Sequence, residues 1–149
     1  MIRFALKLAA VAALAVCGVA GATSASSVKI EHGWVRWLPA NLPAAGYVVI
    51  RNAGDKPVKF VGADSPDYGM AMLHRSMQKN GSDSMEMVDA IIIPAHATVA
   101  LAPGGYHLML SEAKHPVKPG DSVHVSLHFD DGETLQATWP VRPANSSGE

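Results

Sequence analysis

Two runs near the C-terminal end, 122–129 and 134–141, alternate apolar and polar residues with a period of two. Val123, Val125, Leu127 and Phe129 interleave with Ser122, His124, Ser126 and His128, and Leu135, Ala137, Trp139 and Val141 continue the apolar face after Asp130-Asp131-Gly132-Glu133. Only extended backbone brings such a pattern to one face, so the segment predicts a β-hairpin with that face on a core. Further extended runs lie at 29–35, 46–52, 58–64, 70–77, 84–93, 98–102 and 107–110. Turn compositions such as Pro103-Gly104-Gly105 and Lys118-Pro119-Gly120-Asp121 separate them, and no apolar stripe of helical period competes. Nine strands in this length predict an all-β fold, a sandwich or small barrel in a single domain.

The N-terminus has a different character. Met1-Ile2-Arg3-Phe4-Ala5-Leu6-Lys7 is short and basic, and an apolar run over 8–20 and small residues follow it. This predicts a secretory signal peptide over 1–25, cut after Ala22 or Ala25, and the run is too short for a permanent membrane anchor. Leu14-Ala15-Val16-Cys17 partly fits a lipoprotein signal, but Val16 stands where a small residue is wanted. Cys17 is the only cysteine, so cleavage leaves an exported domain, 26–142, with neither thiol nor disulfide. Thiol exchange is thereby excluded. Loss of Arg3 and Lys7 leaves 10 basic against 13 acidic side chains, a net charge of −3, which does not suit nucleic-acid binding. The tail, 143–149, is expected to be disordered.

The chemistry concentrates in four residues. His74, Met85, His107 and Met109 follow one another at spacings of ten, twenty-one and one intervening residues. In Tyr106-His107-Leu108-Met109-Leu110, strand alternation turns His107 and Met109 to one side and Leu108 and Leu110 to a core. Methionine ordinarily fills cores, yet five of the seven crowd between Met70 and Met87 in a largely polar stretch. Met70 and Met72 can share the face of His74, but packing beneath the site is the better expectation, and Met85 and Met87 share a strand face. His124 and His128 lie on a polar strand face, and His32, His96 and His115 adjoin turns, so these five read as surface histidines. Two imidazoles and two thioethers form a neutral, soft donor set that favours Cu(I) over zinc, and a blue-copper centre would need a thiolate. The same softness opposes the redox cycling of a copper enzyme, so no enzymatic activity is expected. Trp34 and Trp37 are expected in the core, the alternative being a contact surface.

This spacing, with Leu101-Ala102-Pro103-Gly104-Gly105-Tyr106-His107-Leu108-Met109-Leu110, Pro116-Val117-Lys118-Pro119-Gly120-Asp121 and Phe129-Asp130-Asp131-Gly132, resembles the PCu(A)C family of periplasmic copper chaperones across nearly all the mature chain. The resemblance implies a cupredoxin-like Greek-key β-sandwich or barrel. It also implies one Cu(I) on His74, Met85, His107 and Met109, and delivery to the CuA centre of cytochrome c oxidase, directly or through a Sco-type protein. The expected protein is a periplasmic monomer. The alternatives are an exported β-domain that binds another protein and a general periplasmic copper store. Two features depart from relatives: Arg75 follows His74 where an acidic residue is frequent, and 143–149 holds no His or Met for a second copper.

Overall fold

The computed structural model describes residues 26–148, and every regular element among them is a strand. In chain order these are β1 (Val28–Arg36), β2 (Ala44–Asn52), β3 (Val58–Asp64), β4 (Tyr68–Lys79), β5 (Ser82–Met87), β6 (Ile91–Ile93), β7 (Thr98–Leu101), β8 (Tyr106–Ala113), β9 (Ser122–Phe129) and β10 (Thr134–Arg142). The expected signal peptide, 1–25, lies outside the described residues.

Hydrogen bonding orders the strands β5-β4-β8-β2-β1-β10-β9-β3-β6, with β7 also on β2. The seam is β1 against β10, a parallel pairing of Val35 with Val141 and Arg36 with Arg142. On either side of it the sheet halves close over one core. Ile50, Leu108 and Leu110 come from the first half and Phe60, Val125 and Leu127 from the second, all essentially inaccessible to water. Burial of this kind, at roughly 25 cal/mol per Å² of apolar surface, is the main stabilising contribution.

The expected strands over 58–64 and 122–129 coincide with β3 and β9. The expected single strand over 84–93 is instead two. β5 pairs with β4 in the first half and β6 with β3 in the second, so Val88-Asp89-Ala90 carries the chain from one half to the other. The period of two resumes only at Ile91 and Ile93, which are buried on either side of exposed Ile92.

A bulge in β1 decides what the outer face carries. Glu31 pairs with Val49, yet Trp34 pairs with Tyr47, so three steps on β1 answer two on β2. His32 takes a left-handed φ of 47° within this irregularity. The extra residue reverses the alternation: Val28 and Ile30 face the core before it, and Val35 does so after it. Trp34 therefore turns outward, where it is buried with Tyr47 and Ala45 in a separate cluster, against the expectation of a place in the core. Its ring lies 4.8 Å from that of Tyr47. Trp37 packs, partly buried, against the main core. Beyond β10 the chain turns, with the Ser146 amide donating to the Pro143 carbonyl at 3.0 Å, and Gly148 comes up against the Trp34 ring.

Asn52, fully buried at the end of β2, ties the halves together. Its Nδ2 donates to the carbonyls of Lys56 (2.8 Å), Ile93 (3.2 Å) and Pro94 (3.2 Å), and its Oδ1 accepts from the Gly54 amide (2.9 Å). Asn52→Ala strands these groups away from water and is expected to cost about 2 kcal/mol in denaturant unfolding. A loss below about 0.5 kcal/mol would show that the network contributes little.

Candidate metal centre

Cross-strand register assembles the candidate ligands on the outer face of the first half. In the β4–β8 ladder His74 pairs with His107 and Met72 with Met109, and in the β4–β5 ladder His74 pairs with Met87 and Ser76 with Met85. Residues opposite one another share a face, so Met72, His74, His107, Met109, Met85 and Met87 all project to the same side. Leu73, Leu108 and Leu110 project to the other and are buried in the core, as the alternation in 106–110 requires. Three transverse rows result. Met72 and Met109 form one, Met87, His74 and His107 the next, and Met85 with Ser76 the third, nearest the hairpin tip. The row of Met109 continues through Ala45 on β2 to Arg36 on β1.

His74, His107 and Met109 are thus immediate neighbours. The two imidazoles stand 5.8 Å apart, centroid to centroid, with their planes at 70°. His107 is buried, and its Nδ1 lies 3.3 Å from the Gly105 carbonyl. A carbonyl only accepts, so Nδ1 carries the proton and Nε2 keeps its lone pair. Burial pushes the His107 pKa below its ordinary 6.5; the Gly105 carbonyl opposes this, and the charges of His74 and Arg36 reinforce it. His107 is therefore held as the neutral base that a metal ion needs. His74 Nδ1 is buried with no hydrogen-bond partner, a costly arrangement that a bound cation would relieve.

Met85 stands apart from these three. It is 62% exposed and borders an open groove of about 650 Å³ with Ser76, Met77, Asp83 and Gly104. Met70 and Met72, expected to pack beneath the site, lie instead on the ligand face itself, and Met70 is 40% exposed. The cause is the period of two, which gives Met70, Met72 and His74 one orientation. Met87 opposite His74 is the neighbour that sequence spacing did not single out; its signal was the face it shares with Met85. Arg75 turns to the other side of β4, where its guanidinium lies over the Tyr106 ring at 5.3 Å. Its charge is therefore directed away from the donors.

The remaining histidines have other partners or positions. His96 pairs with Asp55 (2.8 Å), His115 with Asp67 (2.8 Å), His124 with the same Asp67 (3.2 Å) and His128 with Asp64, while His32 sits in the β1 bulge. Among the described residues no three His, Cys, Asp or Glu side chains are grouped as metal ligands, and the donors beside the His74–His107 pair are thioethers.

Asp67 links two of these histidines and sets a pH dependence separate from any metal. Burial alone would raise its pKa, but the His124 amide and the His115 and His124 side chains outweigh it and hold the carboxyl below its ordinary 3.8. The Asp67 hydrogen bond raises the His115 pKa above 6.5. The Asp67 contribution is present above 3.8 and lost as pH falls through its folded value. The His115 contribution is complete below 6.5 and lost as pH rises through its folded value. Both operate between those limits. Asp67→Asn is therefore expected to lower the melting temperature more at about pH 5.5 than at about pH 8.5. Equal losses at the two values would deny the ion pair a role in stability.

A protein of Leifsonia xyli subsp. xyli named as a lipoprotein is 34% identical over 126 residues, 84% of this chain and 75% of its own. The copper-bound PCuAC domain of PmoF2 superposes with a TM-score of 0.66 at 26% identity, covering 79% of this chain and 94% of that domain. The Cu(I)-bound solution structure of DR1885 from Deinococcus radiodurans gives 0.63 at 32% identity, over 87% of this chain and 85% of that one. The expected cupredoxin-like architecture is the one observed. Residues 28–141 match the LpqE-like lipoprotein family, and with these structural relatives they establish that the chain belongs to the PCuAC (LpqE-like) family.

Proposed function

We propose that this protein is an exported copper chaperone that binds one Cu(I) through His74, Met85, His107 and Met109 and passes it to an acceptor protein. The observation that carries the reading is the His74–His107 pair. One imidazole is held neutral by burial, the other has an unpartnered buried nitrogen, and Met109 stands beside both. Relatives whose names record bound copper support it.

Four neutral donors leave the monovalent charge uncompensated and favour Cu(I) over harder ions. The buried side of the site, His107 on the Leu108 strand, positions donors and limits water. The exposed side, Met85 on edge strand β5, is where an acceptor can reach. Transfer is then ligand exchange, with acceptor groups replacing the outer thioether first while the histidines retain the ion. No bond within the protein is made or broken, and the protein has no catalytic turnover. The acceptor we favour is the CuA centre of cytochrome c oxidase, reached directly or through a Sco-type thiol protein. The compartment is the periplasm, after cleavage behind Ala22 or Ala25, with the protein a monomer. The test is anaerobic mixing of the Cu(I)-loaded protein with a soluble apo CuA domain and, separately, with a Sco-type protein, followed by chromatographic separation and copper analysis. Movement of copper to either acceptor supports the reading, and retention against both contradicts it.

A further inference from the structure

Given the reading of this protein as a Cu(I) chaperone, we infer that the acceptor binds by adding an extended segment to the free edge of β5, with a soft donor of that segment opposite Met85. β5 stands at one end of the strand order, paired on one side with β4, and all 6 of its residues are exposed. What it offers a partner follows from the backbone groups that the β4–β5 ladder leaves unused.

The hairpin fixes those groups. Asn80 and Gly81, with φ of 54° and 77°, make a two-residue turn between the directly paired Lys79 and Ser82. At the far end of the ladder the Val88 amide donates to the Leu73 carbonyl at 2.9 Å, and on the other side of β4 the Ser76 amide donates to the Gly105 carbonyl at 3.0 Å. Odd-numbered residues of β4 therefore bond toward β5 and even-numbered ones toward β8. Bonded and non-bonded pairs alternate along an antiparallel ladder, so Arg75 with Glu86 and Met77 with Ser84 are bonded pairs. The amides and carbonyls of Asp83, Met85 and Met87 consequently point outward from the sheet. These are also the β5 residues opposite Gln78, Ser76 and His74, whose side chains share the ligand face.

An antiparallel strand added here bonds to the methionine positions themselves, with opposed Cα atoms about 5.5 Å apart. Its side chains opposite Met85 and Met87 then fall on the ligand face, in the next column beyond the thioethers. As the incoming donor's bond to Cu(I) forms, that of Met85 breaks. No electron moves, and a thiol donor releases its proton to water.

The edge is open to such pairing. β5 contains no Pro or Lys and its ladder has no bulge, whereas β6, at the other end of the order, is a strand of 3 residues followed by Pro94. Charge selects the occupant. Asp83 on the ligand face and Glu86 on the opposite one have no ion-pair partner among the described residues. A second copy of β5 would add the same two carboxylates along the seam. An acceptor segment with Lys or Arg two residues beyond its donor instead sets a cation opposite Asp83.

The test follows Cu(I) transfer from the mature protein, Asp83→Pro and Asp83→Lys to a soluble apo CuA domain and, separately, to a Sco-type protein. Proline at 83 removes an outward amide that the ladder does not use, which an edge strand tolerates. Lysine leaves the backbone intact and repels a basic segment. Both variants should transfer about tenfold or more slowly, with Cu(I) affinity in chelator competition within about threefold of the wild type. In the ¹⁵N-labelled copper-free protein, the acceptor should move the amide resonances of Asp83, Met85 and Met87 and leave those of Ser84 and Glu86 in place. Wild-type transfer rates in either variant, or no movement of those three amides while the wild type transfers copper, would overturn the inference and leave the site intact. A wild type that sediments as a dimer, dissociated by Asp83→Pro, would also overturn it, because a second copy would then hold the edge. Retention of copper by the wild type against both acceptors would overturn the chaperone reading and this inference with it.

Discussion

His107→Ala is expected to lower Cu(I) affinity by about 100-fold or more, since a lost ligand should exceed the 10–100-fold cost of removing a ligand's supporting partner. Three properties converge on this residue. It is buried at the β8 end of the middle donor row, its Nδ1 is committed to the Gly105 carbonyl, and its Nε2 is left with a free lone pair. The other histidines outside the pair are engaged elsewhere among the described residues, His96, His115, His124 and His128 with carboxylates, while His32 lies in the β1 bulge. His96→Ala is the matched control, and its Cu(I) affinity should equal that of the wild type. Thermal unfolding without copper separates ligation from folding. If His107→Ala retained wild-type affinity while folded, the donor set would lie elsewhere.

Gly33→Ala carries the largest expected cost to folding. A Cβ at position 33 would lie 2.0 Å from Trp139 Nε1 and 2.4 Å from its Cδ1, inside any permissible contact. Trp139 is 1% exposed and packed within the main core, so the ring cannot swing clear. Either β10 moves or the β1 bulge is undone, and the second would turn Trp34 away from Tyr47. The expected loss is about 3 kcal/mol, the upper part of the range for overpacking. For a domain of this size that lowers the melting temperature by roughly 10 °C. Unfolding within about 1 °C of the wild type would show that the sheet seam yields more easily than its packing suggests.

The parts of this fold that were legible in advance are those whose pattern is local. The β9–β10 hairpin was readable because strict alternation flanks an Asp-Asp-Gly turn, and the orientation of His107 and Met109 followed from the same alternation around Leu108 and Leu110. The division of 84–93 into β5 and β6 was not, because Val88-Asp89-Ala90 contains neither Gly nor Pro to mark the crossing between sheet halves. The outward turn of Trp34 depends on one extra residue at His32-Gly33. Its signal is the glycine, and the requirement for it comes from Trp139, more than a hundred residues away in sequence. Pairing register was the other hidden quantity. Spacing along the chain singled out Met85, whereas the β4–β5 ladder sets Met87 against His74, because hairpin length determines which residues meet and motif spacing alone does not record it.

The claim that this outer face holds Cu(I) is tested most directly by anaerobic competition of the mature protein against a colorimetric Cu(I) chelator, beside Met109→Leu. Met109 adjoins the histidine pair and pairs with Met72, and its replacement leaves the core residues Leu108 and Leu110 undisturbed. The account predicts one copper retained per chain and a clear weakening in the variant, with unchanged unfolding in the absence of metal. No retention by the wild type, or equal retention by Met109→Leu, would contradict it.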